Sequence, residues 1–168
     1  NPETQPVYET ALPKPISPYG TSKLMTELML RDSHFAYGLN YVALRYFNVA
    51  GADPKGRSGQ STPRATHLIK VACQTALGQR EKMEVFGTDY ETPDGTCLRD
   101  YIHVSDLIAA HMDALRHLRS GGDSGIFNCG YGKGYSVLEV IDAVERACGH
   151  KINATRSPRR AGDPAAIV

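Results

Sequence analysis

The sequence predicts an α/β protein, and three observations carry that prediction. Helix signals at 17–35, 65–77, 105–118 and 136–148 alternate with short strand-like runs at 41–47, 83–86, 98–103 and 126–129. Alternation of this kind is the mark of the α/β class. The run 41–47 is apolar or aromatic on both of its faces, as an interior strand of a parallel sheet is. At 168 residues, 41% hydrophobic and 22% charged, the chain has the composition of a globular protein with its own core.

Taken in order, Ser17 followed by Pro18 reads as a helix N-cap and first helical residue. That helix runs to about residue 35, with Gly38 beyond its end. The strand 41–47 follows and gives way at Asn48 to a long Gly/Pro/Ser-rich loop that reaches about Arg64. A helix over 65–77 closes at Gly78, and 83–86 is a short strand. Pro93-Asp94-Gly95 marks a turn-rich excursion over 89–96. Residues 98–103 are extended, and Ser105 is the expected cap of a helix to about Leu118, ended by Gly121-Gly122. Residues 126–129 form a strand. Ser136 and Glu139 stand at capping-box spacing and open a helix that ends before Gly149. The segment from Ala154 onward is basic and carries no clear periodicity.

Bulk properties exclude several classes. A net charge of +1 gives no global pull toward nucleic acid or an anionic membrane surface. The short basic run Arg156, Arg159, Arg160 in such a chain reads as solvated. No apolar run approaches the ~18 residues of a membrane span. Cys73, Cys97, Cys129 and Cys148 lie far apart, without zinc or disulfide-framework spacing, which fits a reducing cytoplasm. His103 and His111 have no third ligand at metal spacing. The glycine-rich stretch 130–134 fits neither the Walker A pattern nor Gly-x-Gly-x-x-Gly, and reads as a turn between a strand and the next helix. Asp100 and Asp106 read as ordinary loop or helix-start carboxylates, and Cys97 has no base near it in sequence.

The most informative feature is Tyr19 with Lys23, four residues apart in Ser17-Pro18-Tyr19-Gly20-Thr21-Ser22-Lys23. This spacing places both side chains on one helix face, one turn apart. An ammonium held beside a phenol favours the phenolate, the form a general base needs. On its own, a Tyr-x3-Lys pair is also what an ordinary helix surface contains.

Further segments give the pair its context: Leu44-Arg45-Tyr46-Phe47-Asn48, Phe86-Gly87-Thr88-Asp89-Tyr90, the block from Asp94 to His103, and Pro158-Arg159-Arg160-Ala161-Gly162-Asp163. Together they resemble the UDP-glucose 4-epimerase family, an extended type of short-chain dehydrogenase/reductase. The resemblance implies the C-terminal part of a Rossmann-like fold plus a smaller α/β domain for a nucleotide sugar. Residues 1–51 would be the remnant of the NAD-binding domain, and 52–168 mostly the UDP-sugar domain. The glycine-rich dinucleotide turn with which the family begins is not among these residues, nor is the Ser/Thr that precedes the Tyr. The chain, opening on Asn1 and closing on Ile167-Val168, reads as a fragment, inactive by itself and prone to associate through uncovered surface.

Residue by residue, the resemblance implies that Tyr19 is the base for the sugar 4-hydroxyl. Lys23 binds the nicotinamide ribose and supports the phenolate, and Phe47 lies by the nicotinamide. Asn48 contacts the diphosphate, while Glu84, Val85 and Phe86 frame the uracil. Arg99 and Arg160 grip the diphosphate, a role suited to planar, permanently charged forks. Asp163 accepts from the uridine ribose, and His67 and Leu68 stand at a substrate contact where bacterial relatives carry Asn at the first position. Ile167 stands where a bulky Tyr goes with exclusion of N-acetylated sugars, so tolerance of them is expected. The implied reaction is NAD-dependent inversion at C4 of UDP-glucose or UDP-galactose, in a homodimer formed through the Tyr19–Lys23 helix. A 4,6-dehydratase or pentose 4-epimerase would share Tyr19 and Lys23. A non-catalytic binding or association module is the alternative from a different class.

Overall fold

The computed structural model describes residues 5–168, so the expected N-terminal unit 1–51 starts with four residues outside the described ones. Helix α1 (Pro18–Tyr37) begins as its sequence dictates. The Ser17 hydroxyl accepts from the Gly20 N–H at 3.1 Å, and Pro18 supplies a preset φ at a position whose N–H has no helical partner. At the far end Gly38 takes φ +70° and donates its N–H to the His34 carbonyl, the left-handed cap that glycine adopts without a Cβ clash.

Strand β1 (Val42–Tyr46) follows, and then β2 (Asn48–Ala50), where a loop was expected. The elements after it are α2 (Leu68–Ala76), β3 (Met83–Phe86), β4 (Leu98–His103), α3 (Val104–Arg119), β5 (Gly125–Cys129), β6 (Gly134–Ser136), α4 (Val137–Cys148), β7 (Ala154–Ser157) and β8 (Ala166–Ile167). β1 pairs in parallel with β5, and β3 in parallel with β7. β4 is the hub of the third sheet: it pairs in parallel with β2 and β8 and antiparallel with β6. β2, β6, β7 and β8 were not expected because each is only two to four residues long and carries too little pattern to read. Their existence depends on partners distant in sequence. The division at residue 51 is crossed by two of these pairings, β1 with β5 and β2 with β4.

Two helix starts differ from expectation. α2 begins at Leu68 rather than 65, because His67 is extended at ψ 132° and makes no side-chain cap. α3 is capped by His103, not Ser105: the imidazole Nδ1 accepts from the Ser105 N–H at 3.1 Å. The capping box of α4 forms as read, with Ser136 accepting from the Glu139 N–H and Glu139 accepting from the Ser136 N–H.

The core lies between α2, α4 and the β3–β7 pair. Met83 and Val85 alternate inward from β3 and meet Ala72, Ile141 and Ile152, with Leu68, Val71, Val137 and Val144 packed around them. Fully burying a Met, Val or Ile side chain of this kind contributes roughly 1.5–3 kcal/mol. The period-2 alternation of β3 sends Glu84 and Phe86 to the opposite face. That face opens on a cavity.

Candidate functional site

This cavity has a volume of about 880 Å³, ample for a drug-sized or nucleotide-sized ligand. Three strands and a helix start build it. Glu84 and Phe86 come from β3. Arg99 and Tyr101 come from one face of β4 and Cys97 from the residue just before it, while Asp100 and Ile102 on the other face are buried. Asn48 enters from the start of β2, and Thr66, His67, Leu68 and Val71 from the approach and first turn of α2. Arg160 and Asp163 close it from the loop after β7.

Its electrostatics favour an anion. Arg80, Lys82, Arg99 and Arg160 face only two carboxylates, Glu84 and Asp163. Asp163 holds both arginines of the inner wall: Arg160 Nε lies 2.8 Å from Oδ2, and Arg99 Nη2 lies 3.9 Å from Oδ1. Arg99 also donates to the Leu98 carbonyl at 2.7 Å. Two guanidinium groups are thus held close together before any ligand arrives, and one carboxylate offsets only part of their charge. The Arg160 guanidinium stacks over the Phe86 ring, 5.0 Å from its centroid, a cation–π contact that fixes both planes. Burial pushes the Tyr101 phenol up to about 12, so this wall residue is a neutral hydrogen-bonding group at physiological pH. At the α2 end, the Gln60 amide sits 2.9 Å from His67 Nδ1. With that amide as donor, the ring proton stays on Nε2.

Eight residues singled out in the sequence meet in this cavity: Asn48, His67, Leu68, Glu84, Phe86, Arg99, Arg160 and Asp163. Val85 lies in the core, so any ligand contact it makes is through its main chain. Ile167 sits on β8 in register with Arg99, beside this cavity rather than in its wall. Phe47 lines a second, smaller cavity of about 200 Å³, with Tyr8, Asp100, Asn128 and Val168 among its neighbours. Tyr19 and Lys23 stand apart on α1, with Tyr19 72% exposed and the Lys23 ammonium 5.2 Å from its ring centroid. The one-turn spacing therefore does bring the two together, as an exposed cation–π pair.

Sequence reasoning missed Arg80, Lys82, Tyr101 and Val137 as wall residues. Tyr101 was within reach of the strand period, since it follows Arg99 by two. Arg80 and Lys82 precede β3 in an irregular stretch with no local signal. Cys97, set aside as a nucleophile, is a wall residue.

The NAD dependent epimerase/dehydratase family matches residues 1–130 of the chain. The UDP-glucose 4-epimerase of Azospirillum brasilense is 62% identical over 167 residues, 99% of this chain and 48% of that protein. Among solved structures, UDP-glucose 4-epimerase from Brucella ovis in complex with NAD superposes with a TM-score of 0.95 at 47% identity, covering 99% of this chain and 51% of that one. The Bifidobacterium longum enzyme of the same name, in complex with NAD+ and UDP, gives 0.88 at 44% identity, covering 99% and 50%. The chain spans about half the length of the curated relatives it matches, and it shares the Rossmann-like α/β fold of these structures.

Proposed function

Because the chain belongs to the NAD dependent epimerase/dehydratase family, we propose that the protein carrying it inverts C4 of a UDP-hexose, interconverting UDP-glucose and UDP-galactose with NAD as cofactor. One observation carries this reading. The cavity gathers Asn48, Glu84, Phe86, Arg99, Arg160 and Asp163, drawn from regions more than a hundred residues apart, into a cationic pocket of nucleotide size. The names of the Azospirillum, Brucella and Bifidobacterium proteins support it.

The side chains suit the two ends of such a complex. Arg99 and Arg160 hold the diphosphate, and Asp163 both preorganises them and accepts from the uridine ribose. Phe86 offers a flat face to the uracil, with Glu84 and the Val85 main chain at its edge. Asn48, His67 and Leu68 flank the diphosphate and sugar. The Tyr19 hydroxyl and Lys23 ammonium are exposed on one side of α1, which fits them to the nicotinamide–ribose end of NAD, with Phe47 beside it. NAD, when bound, supplies the oxidant and reductant for C4. Tyr19, as the phenolate, takes the proton of the sugar 4-hydroxyl and later returns it, and Lys23 stabilises the phenolate that starts the cycle and is regenerated at its end. The firm grip on UDP leaves the oxidised sugar free to turn over between them. Binding energy remote from the reacting carbon is thus used for anchoring. Ile167, beside Arg99, is smaller than the Tyr that goes with exclusion of N-acetylated sugars, and tolerance of them is part of this proposal.

Met25, Leu28 and Met29 leave α1 with an exposed apolar side, which supports a homodimer formed through this helix. Four free cysteines fit a cytoplasmic location. No described helix is long and apolar enough to cross a membrane, and we assign neither a membrane nor a nucleic-acid partner.

The test is proton NMR of UDP-galactose incubated with NAD and the protein expressed from its whole gene. UDP-glucose should accumulate to a fixed ratio from either direction. Formation of a 4-keto-6-deoxy sugar, turnover of pentose substrates alone, or UDP binding with no turnover would overturn the reading.

A further inference from the structure

Asp100 is fully buried, with 0% of its surface exposed. Its Oδ2 accepts from the Gly132 N–H at 2.8 Å, and Oδ1 has no hydrogen-bond partner among the described residues. A buried carboxylate with one oxygen unmet is unfavourable for folding, so stability alone gives no reason for it. Its surroundings give another. The Asp100 carbonyl accepts from Asn48 Nδ2 at 3.2 Å. Asp100 lies between Arg99 and Tyr101 on β4, and both of those line the large cavity.

The glycine-rich turn 130–134 is shaped around this carboxylate. A Cβ on Gly130 would stand 2.6 Å from Asp100 Oδ2 and 3.0 Å from the Phe47 ring. Real Cβ atoms do not come as close as the first of these. Gly132 takes φ +67°, a left-handed conformation that favours glycine, and its N–H meets Oδ2. A stretch that reads in the sequence as an ordinary turn is thus a close-fitting seat for one side chain. Through that seat Asp100 ties the β5–β6 turn to β4, to Asn48 and, by packing, to Phe47.

We infer that Asp100 is a positioning residue for the reaction: it fixes Asn48, and with it the diphosphate end of the cavity, relative to Phe47. The inference rests on the functional reading above. Removal of the carboxylate frees the Gly130–Gly132 turn and lets the Asp100 carbonyl drift from Asn48. UDP is then held less firmly, although Asp100 touches no ligand.

A double-mutant cycle on UDP affinity and on kcat and KM tests this, in the protein expressed from its whole gene and well below each variant's melting temperature. Asp100→Ala should weaken UDP binding about tenfold, and that factor should shrink to about twofold or less in an Asn48→Ala background, because the one residue acts through the other. Asp100→Asn should recover affinity to within about threefold, since its amide oxygen can accept from Gly132. Gly130→Ala keeps the Asp100 carboxylate but pushes it off its seat, so it should weaken UDP in the same Asn48-dependent way and also lower kcat through Phe47. If Asp100→Ala does not fold, Gly130→Ala carries the cycle. Strict additivity with Asn48→Ala, or a lowered melting temperature with unchanged Kd and KM, overturns the inference. A wild-type protein that neither binds nor turns over UDP-sugar overturns the functional reading instead.

Discussion

Helices α1 and α4 both open on a serine N-cap and close on a left-handed glycine, yet they belong to different kinds of structure. α4 is 12 residues long and buries Val140 and Ile141 against the core. α1 is 20 residues long and buries none, with Phe35 80% exposed and Tyr19 and Lys23 out in solvent. The same local grammar makes both helices. Only α4 has its apolar stripe met by facing side chains. The difference separates a packed half of the molecule, which forms the cavity, from a half whose surfaces are presented outward and which carries the proposed acid/base pair, Tyr19 and Lys23.

The largest expected effect bears on that division of labour. In the protein from its whole gene, Tyr19→Phe should cut kcat by about 10²–10⁴ and leave the Kd for UDP unchanged, since in the proposed mechanism the hydroxyl acts only on the reacting proton. Arg160→Ala should do the reverse and raise the Kd, because the proposed diphosphate contact would be made in ground and transition states alike. Matching losses in kcat at constant KM for both variants would break the comparison at its functional end.

Stability sharpens it next. Ile141→Ala in the core should cost about 2–5 kcal/mol, read as a lower urea midpoint. Phe35→Ala on α1 should fall within about 0.5 kcal/mol of wild type. A large loss at Phe35 would mean that this face is covered in solution, and a concentration-dependent midpoint would identify the cover as a second copy.

The paired caps give a smaller and cleaner contrast. Ser136 is buried, accepts from the Glu139 N–H at 3.0 Å and donates to the Asp94 carboxylate. Ser136→Ala removes a buried hydroxyl that makes both bonds at once and should cost about 2 kcal/mol, the top of the cap range. Ser17→Ala, exposed to water that can replace the bond, should cost about 0.5 kcal/mol. Equal losses at the two serines would show that burial does not set the worth of a cap here.

The smallest effect is on acid stability. Burial pushes the Asp94 carboxyl up, but hydrogen bonds from Ser136 and Thr96 outweigh it and hold the group below its ordinary value. A carboxyl depressed in the folded state contributes stability that is fully present above about pH 4. That contribution is lost as pH falls through the folded value. Asp94→Asn should therefore flatten the fall in urea midpoint below about pH 4 and leave its shape near pH 7 unchanged. An unaltered acid limb would show that the Asp94–Ser136 link does not form.

Much of this was readable in one dimension. Ser17, Pro18 and Gly38 delimit α1, and Ser136 with Glu139 starts α4 where it starts, because caps are made by residues within a few positions of one another. The Glu84/Phe86 alternation and the Tyr19–Lys23 spacing follow from strand and helix periods alone. The resemblance of five short segments to a known family supplied the rest of the candidate site.

What the sequence did not disclose lies in contacts between distant residues. β8 is two residues long and exists because Leu98 and Arg99 offer it a ladder. Arg80 and Lys82 face the ligand cavity because β3 packs where it does, not because of any pattern around them. The seat of Asp100 joins residues 47, 48, 100, 130 and 132, and no local rule links them. Helix and strand periods, caps and tight turns are set by backbone geometry over a few residues, so the sequence by itself determined them. Which apolar stripe is covered and which carboxylate is buried depends on chain segments that meet only after folding. Those outcomes the tertiary structure decided.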